Sequence, residues 1–333
     1  MKLDIFKKTH HIDPNYQHLI KYGLIMWKSF WTPAKYQKNI EKQDAPYVVN
    51  RMGVKDSTVV KRCVLSISIV EDKVKSFWGT LFLDIPQVVV GEVGAILGGS
   101  EVVHAQSYRA LAEALGLQEG FQNIMKEPVL KGRVNYLQKY LNTSDEDTHK
   151  SRTLKKLVLF TALVERASLF SQFYILMSYA NSNRGLKTIA SLQASTAAEE
   201  LIHYAFGMEL INIIKDQNKG IWDEAMERLV TKDLKAAHKS ELALIDWIFE
   251  RGVPDHLTKE EVINFLNFNF NTICTDLSIT LAFPFDEELY ESSNSWMMNS
   301  LRPSEPDFFV TPVGGYSSVK EDLTEEDIDD IFN

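Results

Sequence analysis

No proline interrupts the chain between Pro128 and Pro254, and across that span apolar residues recur at intervals of three and four. Proline removes a helix hydrogen bond and clashes with the preceding turn, so a long stretch without it leaves long helices free to form. The whole 333-residue chain shares this bias, with 16 glycines and 10 prolines where average usage would place about 23 and about 17. The spacing predicts helices over 14–31, 57–84, 86–115, 127–141, 151–180, 186–217, 221–250 and 258–282. Strand signals are weak. Residues 47–49 are too few to matter, and the β-branched run VVKRCVLSISIV at 59–70 leads straight into an amphipathic segment, so it is read as helix. No internal repeat is evident, which argues against a solenoid.

With 45% hydrophobic and 24% charged residues, the chain has the composition of an ordinary globular protein. Its two cysteines, Cys63 and Cys274, belong to no CxxC or Cys/His motif. That argues against a disulfide framework or a zinc site and fits a reducing compartment. Residues 1–11 are charged and lack an apolar signal core, so the protein is read as cytoplasmic. The net charge of −9 is concentrated at one end, where seven acids stand against Lys320 within residues 317–333. The nearly neutral remainder argues against a basic face for phosphate contacts, so no nucleic-acid partner is expected.

From about residue 299 the character changes to Pro303, Pro306, Pro312, the Gly314-Gly315 pair and then the acidic stretch. The expected organisation is therefore a helical domain over 1–299 with an N-terminal extension, followed by a flexible tail over 300–333. The closing residues alternate acidic and apolar side chains, a pattern suited to docking Ile and Phe into a partner's groove.

The run LVLFTALVERASLFSQFYILMSY at 157–179 is long enough to suggest a membrane span, but Glu165, Arg166, Ser168, Ser171 and Gln172 interrupt it. It reads instead as a central core helix. Glu165 is then the anomaly, because an ionised carboxylate is almost never buried without a partner. Two other apolar segments supply one kind of answer. Glu101 and His104 are three residues apart in GSEVVHAQSY, and so are Glu200 and His203 in TAAEELIHYAF. At that spacing both side chains of a pair project from one helix face. A Glu-x-x-His from each of two helices and a Glu from each of two others is the ligand set of di-iron and di-manganese carboxylate bundles. The remaining ligand is expected on the helix before Glu101, where Glu71 and Asp72 are adjacent candidates. Carboxylates with one imidazole per ion suit iron or manganese better than zinc or copper.

These residues resemble the small, radical-generating subunit of class I ribonucleotide reductase, from about Tyr22 to the C-terminus. The most specific signature is Glu101-Val-Val-His104-Ala-Gln-Ser-Tyr108, in which the family's Glu-x-x-His is followed by the tyrosine that is oxidised to a radical. The resemblance implies an all-α, ferritin-like di-metal carboxylate bundle acting as a homodimer. It implies the ligand order Glu71, Glu101, His104, Glu165, Glu200, His203. The first ligand in much of the family is Asp, and some relatives with Glu there use manganese alone or with iron, so the dinuclear centre is expected as Fe/Fe, Mn/Fe or Mn/Mn.

The same resemblance makes Trp31, in SFWTP, the start of a radical-transfer route, and Tyr316, in GGYSS, the mobile tyrosine that carries the radical onward. The family usually has Asp before the second Glu-x-x-His, on the path from the metal-bound histidine to the tryptophan; here that position is Glu199. The implied function is oxidant activation for a separate large subunit that reduces ribonucleotides, reached through Leu323, Ile328, Ile331 and Phe332 of the tail, without nucleic acid or membrane. The alternative is an autonomous ligand-binding oxidase of the same bundle class, which has no use for Tyr316 or a docking terminus. Metal storage and a metal-free helical interaction protein are further rivals; the last requires several buried charges to balance each other, which is costly. The remaining histidines, His10, His11, His18, His149, His238 and His256, are read as surface residues, and the cysteines as core thiols.

Overall fold

A computed structural model describes residues 3–74, 76–118, 126–137 and 148–301, and every regular element among the described residues is helical. Tyr316 and the expected docking residues lie outside them. An N-terminal arm comprises α1 (Ile20–Ser29), α2 (Ala34–Asn39) and α3 (Ala45–Asn50), with a π turn at Ile40–Asp44. There follow α4 (Val54–Val74), α5 (Phe77–Thr80), α6 (Val88–Ala114), α7 (Pro128–Leu137), α8 (His149–Val158), a π-helical segment Leu159–Ser168, α9 (Phe170–Asn181), α10 (Lys187–Gln217), α11 (Glu224–Ile248), α12 (Lys259–Asp276) and α13 (Ser295–Leu301).

The centre is a four-helix arrangement of α4, α6, the π segment running into α9, and α10. The arm covers one side of it, with α1 on α6, while α11 packs on α7 and α12 on α9 and the π segment. In α4 the β-branched run is helical because its apolar residues recur at helical spacing. Val59, Val60, Cys63, Val64, Ile67 and Val70 are all fully buried, and tertiary burial overrides strand propensity. Ser66 and Ser68 satisfy their hydroxyls on the Cys63 and Val64 carbonyls. By length and apolar composition α6 could cross a membrane; it is a core helix of the bundle that carries Glu101 and His104.

Three departures from the sequence expectation bear on the site. The helix expected over 57–84 ends at Val74 and restarts as α5, which rests in a notch of α6. A Cβ on Gly94 would stand 2.5 Å from the Trp78 carbonyl oxygen, and one on Gly98 2.9 Å from the Gly79 nitrogen. The helix expected over 151–180 changes register to π across Leu159–Ser168, the stretch that contains Glu165. Such bulges occur often at functional sites. Finally, the arm over 34–50, where the spacing predicted no helix, holds α10 in place. The Asp44 carboxylate accepts from the amides of Thr188 and Ile189, each at 2.8 Å, and so caps a helix whose preceding residue, Leu186, is left-handed at φ 57°. Unsatisfied amides at a helix start need such an acceptor.

The histidine reading also needs correction. His238 and His256 are half-buried, because each is packed against aromatic rings: His238 against Phe270 and Phe283, and His256 against Tyr179. Cys63 and Cys274 are buried free thiols, as expected.

Candidate metal centre

The predicted ligands converge from four helices. Glu71 comes from α4, Glu101 and His104 from α6, Glu165 from the π segment, and Glu200 and His203 from α10. They form two overlapping sets, Glu71, Glu101, His104 and Glu200, and Glu101, Glu165, Glu200 and His203; within each, one ligand atom per residue lies within 4.8 Å of all the others. Glu101 and Glu200 belong to both sets, so each would be in reach of both ions of a bound pair. None of the six is more than 1% exposed. Asp72, the neighbouring candidate, falls on the same helix, and its side chain is outside the description.

The donor set fits a pair of divalent cations. Four buried carboxylates face two imidazoles, and the four negative charges match what two such ions bring. Both oxygens of Glu71, both of Glu101, Oε2 of Glu165 and Nδ1 of His104 are buried without a hydrogen-bond partner. Buried polar atoms are normally satisfied, so these atoms point to a ligand between them. The titration behaviour has the same origin. Burial, reinforced by the neighbouring carboxylates Glu200 and Glu101, pushes Glu71 and Glu165 well above the usual carboxylate range. Burial opposes the charge on Glu200 too, yet its neighbours Glu165, His104 and His203 hold it below the usual carboxylate range.

Each imidazole is held by its outer nitrogen. His104 Nε2 is 2.6 Å from Glu199 Oε2. His203 Nε2 is 3.0 Å from Ser100 Oγ, whose hydroxyl donates to the Leu97 carbonyl. With Nε2 donating in both rings, the Nδ1 lone pairs face the cluster, and this second bond fixes tautomer and ring orientation. Glu165 is oriented too, since its Oε1 accepts from Trp78 Nε1 at 2.7 Å. The α5 notch on α6 is what brings that indole into reach. Ser100 and Trp78 carry no signal in the sequence as partners, because nothing local links them to the residues they touch.

Tyr108 is fully buried one helical turn beyond His104. Its hydroxyl donates to Gln193 Oε1 at 2.8 Å, a partner that sequence reasoning also missed. Burial, then the charge of Glu71, raises its phenol well above the ordinary value. Trp31 is buried and stacks on His104, with ring centres 5.8 Å apart and planes 24° from parallel. The expected hydrogen-bonded link between Trp31 and Glu199 is not formed, since Trp31 Nε1 has no hydrogen-bond partner; the contact with the imidazole is the ring stacking.

Four core helices that bring two overlapping carboxylate–histidine sets together define a ferritin-like di-metal carboxylate bundle. The sequence matches the model of the family described as ribonucleotide reductase, small chain, over residues 11–289, and the chain belongs to that family. It is 24% identical over 228 residues to a probable ribonucleoside-diphosphate reductase small subunit, 048L, of Invertebrate iridescent virus 3, a match covering 64% of this chain and 59% of the relative. In fold it is similar to the dimanganese(II) NrdF of Streptococcus sanguinis, with a TM-score of 0.73 at 17% identity over 88% of this chain and 99% of the other. It is also similar to an R2-like ligand-binding oxidase with a Mn/Fe cofactor, with a TM-score of 0.66 at 14% identity over 79% and 94% of the two chains.

Proposed function

We propose that this chain is the small, radical-generating subunit of a class I ribonucleotide reductase, active with a large subunit that reduces ribonucleotides to deoxyribonucleotides. The observation that carries the reading is the pair of overlapping ligand sets sharing Glu101 and Glu200, each closed by one imidazole. Family membership over 11–289 supports it. The two ions are iron, manganese or one of each, a choice in keeping with the donor set and with the metals named for the two similar folds.

When bound, a redox-active metal pair supplies the oxidising equivalent that takes one electron from the protein. Tyr108 is the donor. Gln193 orients its hydroxyl but, as a carboxamide, cannot keep the phenolic proton, which would pass with the lost electron to a carboxylate of the cluster, Glu71 being the one whose charge most raises that phenol. Glu199 holds the His104 ring, and Trp31, stacked on that ring, continues the route outward. Tyr316 then carries the radical to the large subunit, on which the tail docks through Leu323, Ile328, Ile331 and Phe332. In this reading residues 1–299 form the metal-binding body and 300–333 the docking tail of a cytoplasmic homodimer.

The test is metal analysis with low-temperature EPR on protein loaded with iron, manganese or both and then exposed to oxygen. Two ions per chain and a tyrosyl signal abolished by Tyr108→Phe support the reading. A metal-centred signal alone keeps the reductase but moves the stored oxidant off Tyr108. No stoichiometric metal binding overturns it. Removing residues 322–333 is expected to abolish ribonucleotide reduction while metal content stays unchanged.

One observation favours the autonomous oxidase: a cavity of ≈ 430 Å³ opens beside Trp31 and Glu199, lined also by Ile25, Phe30 and Ile202 among others. Ribonucleotide reduction that depends on an added large subunit decides against it.

A further inference from the structure

Arg133 and Glu241 are both fully buried outside the metal cluster. Arg133 Nε donates to Glu241 Oε1 at 2.9 Å, and its NH2 group reaches Glu241 Oε2. The same guanidinium donates to the Ser66 carbonyl at 3.0 Å, to Gln172 Oε1 at 2.9 Å and to the Ser168 carbonyl. One side chain of α7 thus ties α4, α11 and the start of α9 to the last residue of the π segment.

That last contact falls where the helix changes register. In a regular α-helix the amide of Gln172 would be directed at the Ser168 carbonyl. Here it donates to the Leu169 carbonyl at 3.0 Å, and the amide of Phe173 donates there too. Arg133 supplies a side-chain donor to Ser168 at the point where the return from π to α redirects the backbone amide. Glu165 stands one turn before it, within the π segment.

We propose that the buried Arg133–Glu241 pair is a positioning device for Glu165: it pins the end of the π register and so sets where that carboxylate stands. Only the final consequence, metal affinity, rests on the metal-site reading. A buried charge pair is a weak source of stability and can often be exchanged for apolar residues without loss, so its role here is geometric.

The test uses the full chain with Arg133→Met and Glu241→Leu together, which removes the donor to Ser168 without leaving a buried charge. A cooperative unfolding transition establishes that the double variant folds. Amide hydrogen exchange over 159–170 is expected to be about tenfold faster, with 88–114 unchanged. The indole N–H resonance of Trp78, assigned through Trp78→Phe, is expected to shift because its acceptor Glu165 moves. Manganese(II) binding is expected to weaken by about 10- to 100-fold, the range for losing a group that orients a ligand. Unchanged exchange together with an unmoved indole resonance overturns the proposal. If the double variant does not fold, Arg133→Lys, which keeps a charge opposite Glu241 but cannot span all four acceptors, carries the same two readouts. Failure of the wild-type chain to bind manganese would count against the metal reading and leave exchange and the indole resonance to decide this one.

Discussion

His104 Nε2 stands 2.6 Å from Glu199 Oε2, so the residue immediately before Glu200 orients an imidazole carried by a different helix. Charge-assisted bonds of this kind hold a ligand ring in its tautomer and raise its basicity. Glu199→Ala is expected to lower manganese(II) affinity by about 10- to 100-fold while the fold remains. Titration followed by EPR of the bound ion checks it, and wild-type affinity in the variant would remove Glu199 from the site.

Trp78 bonds Glu165 across the core. Trp78→Phe preserves an aromatic ring in the notch of α6 but leaves Glu165 Oε1 without its donor, and an unsatisfied buried acceptor costs about 1–3 kcal/mol. Denaturant unfolding of the metal-free protein is expected to show that loss. An unchanged midpoint and slope would mean that the carboxylate has found another partner.

Gly207 is where α10 meets the π segment. A Cβ there would overlap Thr161 Oγ1 and stand 2.7 Å from its Cγ2 and 2.9 Å from its Cβ, so turning the threonine side chain alone would not relieve the clash. Gly207→Ala is expected to destabilise the chain by about 1–3 kcal/mol, as overpacking does. Adding Thr161→Ala, which removes Oγ1 and Cγ2, should recover part of the loss. A double-mutant cycle by chemical denaturation measures the coupling, and strict additivity would contradict the close approach.

His256 contributes a pH dependence remote from the metal ligands. Its ring lies edge-on to Tyr179 at 4.5 Å and shares a hydrogen bond with Ser178 Oγ at 3.0 Å. Burial, helped by Arg184, lowers its pKa against the smaller opposing pull of Asp56, Asp255 and Glu261. The unfolded chain therefore binds a proton here more readily than the native one. The resulting stability is complete above the ordinary histidine value of about 6.5 and is lost as the pH falls from there toward the lower native value. His256→Gln is expected to flatten the fall in unfolding free energy between about pH 7.5 and pH 5.5. Identical slopes for variant and wild type would place the titration elsewhere.

What could be read in advance depended on how local the cause was. The i, i+3 spacing of Glu101 with His104 and of Glu200 with His203 is a property of any helix, so each pair's shared face was legible before the helices were placed. Glu165 was legible as the lone acid in an apolar run. The π register around it was not, because LFTALVERAS has the same apolar spacing whether its bonds run to the fourth residue or the fifth. The helical arm over 34–50 was missed for a related reason: its short helices draw their stability from contacts such as Asp44 on the start of α10, and those contacts are absent from the local pattern.

The sequence by itself determined the helical class and singled out Glu165 and the two Glu-x-x-His pairs, since these follow from periodicity and from the cost of burying a charge alone; choosing Glu71 over Asp72 rested on the family resemblance. The tertiary structure decided which atoms orient those ligands. Trp78 reaches Glu165 across 87 positions, Tyr108 reaches Gln193 across 85, and Arg133 reaches Glu241 across 108. Pairings at such separations depend on how glycine notches and register shifts let helices approach, and a one-dimensional pattern of apolar and polar residues carries no measure of that distance.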